Sequence, residues 1–166
     1  MLLRARSLAA LLLALAAVTP VFAQGGFPDL VAGLKATPGC LGVETAQTSS
    51  GKNVIFAWFE DKKAAIRWYS SAMHQQVMKL GGPLPEGHKA PLADVPNDSG
   101  PIMAVASLTM SKDPAAKNSP LPVSQIAIEL YTPLPGGTFV GGRFAPASVK
   151  VPGMRDATAP PESVKK

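Results

Sequence analysis

Six consecutive residues, Val54-Ile-Phe-Ala-Trp-Phe59, are apolar without interruption, and all but one are β-branched or aromatic. Successive side chains of a strand point to opposite faces, so a strand of this composition has no face to offer water and is covered on both sides, or nearly so. Upstream, residues 40–47 alternate, with Leu41, Val43 and Thr45 on one side, and Ser49-Ser50-Gly51-Lys52 carries turn chemistry. The spacing predicts a β-hairpin over 40–59 whose second strand is the buried one.

Around this hairpin the elements alternate with breakers. Phe27, Leu30, Val31 and Leu34 fall on one face of a short helix, which Thr37-Pro38-Gly39 stops. Glu60 and Asp61 put negative charge at a second helix start, with Asp61 as N-cap, and good helix formers run from 62 to 80 before Gly81-Gly82. Ile66, Tyr69, Met73, Val77 and Leu80 form its apolar stripe, and Lys62, Arg67, Ser70, Ser71 and Gln75 its wet shoulder. Proline and glycine crowd into 81–101, a crossing loop, and into 133–166. Between them, 102–110 and 123–131 alternate as strands joined by a polar, proline-containing link over 111–122. Residues 138–144 suit one further short edge strand, with Gly136-Gly137 and Gly141-Gly142 flanking it. Pro, Ala, Ser and Lys dominate from Pro146 onward, the composition of a poorly ordered tail.

The order α, β, β, α, β, β is one strand short at the front, and one long at the back, of the βαββαβ ferredoxin-like pattern. The fold class expected is α+β: an antiparallel sheet with two helices on one face. In a ferredoxin-like sheet the first strand sits centrally beside the last, so a permuted version would place 123–131 in that vacancy, paired with Val54 to Phe59.

The N-terminus reads as an address rather than as structure. Arg4 and Arg6 precede an apolar run from Leu8 to Val18, Thr19-Pro20 breaks it, and small residues lead to Ala23. That is a secretory signal, too short for the roughly 20 apolar residues that cross a bilayer. Cleavage after Ala23 leaves Gln24 first, with no cysteine there for a lipid anchor. The division expected is 1–23 signal peptide, 24–145 folded domain and 146–166 tail, in a periplasmic or secreted protein without a membrane anchor. Signal loss lowers the formal net charge of +5 by two. The remaining basic residues are scattered rather than striped, which argues against a nucleic-acid partner.

Candidate functional residues are few. Trp58, Phe59, Trp68 and Tyr69 could line a ligand cavity between sheet and helices, or could be core packing, or could bury the sheet against a second subunit. His74, beside the apolar stripe, is open to use as an axial ligand or general base, or to a half-exposed place at the helix rim. Cys40 is the single cysteine, so it is an intermolecular bridge, a reactive thiol or a small buried hydrophobe. No His or carboxylate stands at ligand spacing from His74, and the methionines are dispersed, so no metal is expected. GxGxxG, P-loop, CxxC, HExxH and GxSxG sequences do not occur.

The stretch Thr37-Pro-Gly-Cys-Leu-Gly-Val-Glu-Thr-Ala-Gln47, followed by Val54 to Tyr69 and then His74, resembles the antibiotic-biosynthesis-monooxygenase-like branch of the dimeric α+β barrels, over about residues 28–78. The resemblance implies a homodimeric barrel of ferredoxin-like units. In heme-degrading members a helix Trp and a helix His line the pocket; Trp68 matches that Trp, Phe59 matches the aromatic before the helix, and His74 is the downstream His. Two functions follow as expectations. One is an exported, non-catalytic homodimer, associating through its sheet and binding a small apolar or aromatic ligand without a cofactor. The other is a cofactor-independent or heme-linked monooxygenase-like oxidoreductase, with Trp68 and His74 in its pocket.

Overall fold

The computed structural model describes residues 29–80, 86, 87, 89, 91–119 and 122–158. The stretch 1–23 expected to be a signal peptide, Phe27 of the expected first helix, and 159–166 of the expected tail lie outside the described residues.

Helix α1, Leu30–Lys35, begins where Asp29 accepts the Ala32 N–H at 3.0 Å through its side chain. It ends in a turn that needs glycine: Gly39 has φ +84°, and a Cβ there would meet the Ala64 Cβ at 2.6 Å. Strands β1, Cys40–Gln47, and β2, Asn53–Phe59, then form the antiparallel hairpin that the turn chemistry predicts, with one irregularity between Cys40 and Gly42. Along β2 every residue is buried except Phe56, which is partly so.

Asp61 caps the next helix as its sequence position indicates, accepting the Ala64 N–H at 2.7 Å. The expected single helix over 62–80 is instead two, α2, Lys62–Tyr69, and α3, Ala72–Leu80. The break has a local cause. Ser71 accepts the His74 N–H on its hydroxyl at 3.2 Å, a fresh N-terminal cap that competes with helix continuation. Two buried alanines of α2, Ala64 and Ala65, let it lie close to the sheet.

Strands β3, Ile102–Met110, and β4, Val123–Tyr131, occupy the stretches that their alternation marks. The fold is α+β, with a four-stranded antiparallel sheet and a helical layer of the ferredoxin-like kind. Its strand order is β1-β2-β3-β4, and this corrects the permuted arrangement. β3, not 123–131, pairs with β2 along its full length, from Phe59↔Ile102 to Asn53↔Leu108, and among the described residues β4 lies at the edge, paired with β3 alone. The link explains why: the Ser111 N–H donates to the Pro122 carbonyl at 2.9 Å, which closes the connection as a local return and sets β4 directly alongside β3.

Opposed residues of an antiparallel ladder share a face. Ile55, Ala57 and Phe59, flanked by Val43, Ala104 and Ala106, face the helices and form the core with Leu30, Leu34, Ala64 and Ala65. Val54, Phe56 and Trp58 face the other way and are met by the C-terminal segment. The Phe144 ring sits edge-on to Phe56 at 4.9 Å and to Trp58 at 6.4 Å, and Pro146 lies over Gly42 so closely that a Cβ there would strike its ring. Within 146–158 Val149 is 1% exposed, while most other residues of that stretch are exposed. One expectation changes here. Thr138–Phe139, β5, is no edge of the main sheet; it pairs in parallel with Arg155–Asp156, β6. Phe59, 1% exposed, is the largest fully buried side chain. Phe59→Ala should therefore lower the free energy of unfolding by about 3–5 kcal/mol, read from urea denaturation; a loss below about 1 kcal/mol would place the core elsewhere.

Candidate functional site

The aromatic candidates do not meet in one place. Phe59 lies under the helical layer, in the core. Trp58, its neighbour in β2, points through the opposite face, where it is 6% exposed and contacts Phe144. Its indole N–H finds no acceptor among the described residues.

Trp68, Tyr69 and His74 do come together, because the break at Ser70-Ser71 folds the start of α3 back onto the end of α2. The imidazole centroid lies 4.9 Å from the Tyr69 ring and 5.5 Å from the Trp68 ring. His74 Nδ1 is 2.9 Å from the Tyr69 carbonyl, which the Gln75 side chain also reaches at 2.8 Å. Since a carbonyl can only accept, Nδ1 carries the proton and Nε2 keeps its lone pair. Burial pushes the imidazole pKa below its ordinary value, and the bond to Tyr69 pulls part of the way back. His74 is thus a neutral, half-buried ring near pH 7.

That chemistry would suit an axial ligand, but the surroundings do not suit heme. A macrocycle needs walls on both faces, and of the five candidates one is sealed in the core and one is on the far side of the sheet. The three that gather are packed on one another. Among the described residues these five candidates do not fit the group. Among the described residues no three His, Cys, Asp or Glu side chains gather into a metal-binding set, and no helix is long and apolar enough to cross a membrane.

Cys40 is half-buried at the start of β1. Burial raises its pKa, opposed by a backbone hydrogen bond at Gly42 and by Lys35. An activated thiol needs the opposite shift, so Cys40 has the character of a small core residue.

Two features escape the sequence reading. The first is an open cleft of about 390 Å³ within the C-terminal segment, lined by Phe139, Arg143, Val149, Val151 and Met154 among others. Arg143 Nη2 donates to the carbonyls of Pro146, Ala147 and Val149 at 2.9, 2.9 and 2.6 Å, Nη1 donates to the Met154 sulfur at 3.4 Å, and the guanidinium stands 5.8 Å over the Phe139 ring. Its donors hold the segment together, and nothing in the spacing of a loop arginine announces backbone carbonyls as its targets. The second is β4. Ile126, Ile128 and Leu130 continue the helix-facing side of the sheet, yet they are 47%, 60% and 46% exposed because the helices stop short of them.

The depressed pKa of His74 has a measurable consequence. As pH falls, the unfolded chain binds the proton first, near the ordinary imidazole value of about 6.5. The stabilisation from the neutral ring is complete above that value and is lost as pH falls through the folded-state pKa. An NMR titration of the His74 ring should give a midpoint below 6.5, and His74→Gln should remove that part of the acid-side loss of stability. A midpoint at or above 6.5 would mean that the ring is solvated.

Compared with known protein families, with curated proteins and with solved structures, the chain matches none.

Proposed function

We propose that the protein is a small exported binding domain without chemistry of its own, working as a homodimer and offering apolar surface to a small apolar or aromatic ligand. The observation that carries this reading is the row Ile126, Ile128, Leu130 on one face of an edge strand, exposed at 47%, 60% and 46%. A contiguous apolar patch on a small domain marks an interaction surface, and an open strand edge beside it adds unpaired backbone donors and acceptors.

Further support comes from what the remaining residues do. Trp58 and Phe59 are used on opposite sides of β2, Arg143 is engaged by backbone carbonyls, and the Cys40 pKa is raised. Catalysis needs acids, bases or dipoles converging on one point, and these groups diverge. For that reason the monooxygenase-like oxidoreductase is not the reading adopted. Export rests on the basic and apolar N-terminal run ending at Ala23.

Association through the outer sheet face, where Val54, Phe56 and Trp58 lie, would compete with Phe144 and Pro146, which already contact that face. The edge is the better candidate. Sedimentation velocity on the purified protein should show a dimer at micromolar concentration, and Ile128→Lys should weaken it by at least about tenfold with an unchanged circular dichroism spectrum. A monomer throughout that range would refute the homodimer.

A further inference from the structure

The two edges of the main sheet differ in kind. β1 is irregular between Cys40 and Gly42, so this edge is interrupted, and Pro146 lies over the sheet face at Gly42. β4 carries one irregularity, at its first residues: Thr109 pairs with Gln125 but Met110 with Val123, which leaves Ser124 as the extra residue. From Gln125 to Tyr131 the strand is regular, exposed at every position, and free of proline, lysine and arginine. Edge strands are normally blunted by such residues, by bulges or by a covering element. Among the described residues the regular part of β4 has no covering element, bulge, proline or lysine, and Glu129 is its one charge.

What could cover it is written in its own sequence. A second copy that continues the sheet must run antiparallel about a two-fold axis normal to the sheet, which keeps like faces together and pairs residues of like parity. Only an axis at Ile128, the midpoint of 125–131, uses the whole regular stretch. It opposes Ile128 to Ile128 and Ile126 to Leu130 of the second copy, so all six large side chains on the helix-facing side form one ladder. On the other side it opposes Gln125 to Tyr131, two hydrogen-bonding groups, and Ala127 to Glu129, so the single charged residue never meets its own kind. Moving the axis to Ala127 sets Leu130 against the irregular Ser124, and moving it to Glu129 opposes two carboxylates. Like charges directly opposite destabilise a sheet, whereas matched apolar pairs contribute to it.

We infer that two copies of the chain join edge to edge through residues 125–131 of β4, about an axis at Ile128, into one eight-stranded antiparallel sheet. This inference rests on the homodimer proposed above and specifies how it forms. Seven residues per copy bury on the order of 1,000 Å² in total, at the lower limit for a specific interface, which suits a reversible dimer.

Cysteines placed along the strand test the register on the full protein carrying Cys40→Ser. Directly opposed residues have Cα atoms about 4.5–5.5 Å apart, inside the range a disulfide spans, whereas four residues of offset separate them by roughly 13 Å. Ile128→Cys should therefore give about tenfold more covalent dimer under mild oxidation than Ile126→Cys, and Ile126→Cys with Leu130→Cys should restore the yield. Circular dichroism confirms that each variant is folded. Equal yields for the two single variants, or none for Ile128→Cys, overturn the edge pairing; if the unmodified protein still sediments as a dimer, the homodimer stands and another surface forms it. A protein that sediments as a monomer removes both.

Discussion

Everything in this structure is arranged around a strand that cannot touch water on either side. β2 is buried from Asn53 to Phe59, with only Phe56 partly open, and burying its large side chains is worth roughly 1.5–3 kcal/mol each. Two coverings are needed, and they come from different parts of the chain. The helices take the side of Ile55, Ala57 and Phe59, and small residues at Ala57, Ala64, Ala65, Ala104 and Ala106 let α2 come close. The C-terminal segment meets the side of Val54, Phe56 and Trp58 with Phe144 and Pro146. A candidate pocket that enlists both Trp58 and Phe59 is thereby excluded, since adjacent residues of one strand serve opposite layers.

Features decided by neighbours in sequence were legible there. The hairpin at 40–59, the strands at 102–110 and 123–131, and the cap at Asp61 each depend on alternation, turn residues or a side chain three positions from its target. The helix break was misread although its cause is equally local. Ser70 and Ser71 were assigned to the wet shoulder of one long helix, because periodicity weighs apolar positions and is blind to a hydroxyl that can restart the backbone. Strand order was misread for another reason. Both arrangements use the same strands with the same alternation, and only the closure between Ser111 and Pro122 separates them.

Proline, glycine, alanine and serine supply little apolar area in the C-terminal segment. Its described contacts centre on one cation. Arg143 gathers three carbonyls of the same loop, which satisfies backbone acceptors that would otherwise need water, and Val149 is buried beside them. A guanidinium with several donors in a fixed fork can do this, and a lysine at that position could reach fewer of the acceptors at once.

The candidate site follows from the same geometry. The short helices α1 and α2 pack chiefly on β1 and β2, and the core they close reaches β3 at Ala104 and Ala106. The sheet is one strand wider than its cover. Alternation alone marks Ile126, Ile128 and Leu130 as inward-facing, and so they are, but toward a side where the inward layer has ended. That is why sequence reasoning placed them in the centre of the sheet and why the structure leaves them exposed. Retaining three large apolar residues there has no benefit for an isolated monomer, since hydrophobic stabilisation scales with area removed from water. It has one for an edge that is completed by a second chain. The open strand and the uncovered stripe are therefore a single feature of the sheet, and it is on that feature that the proposal of β4 as the joining edge rests.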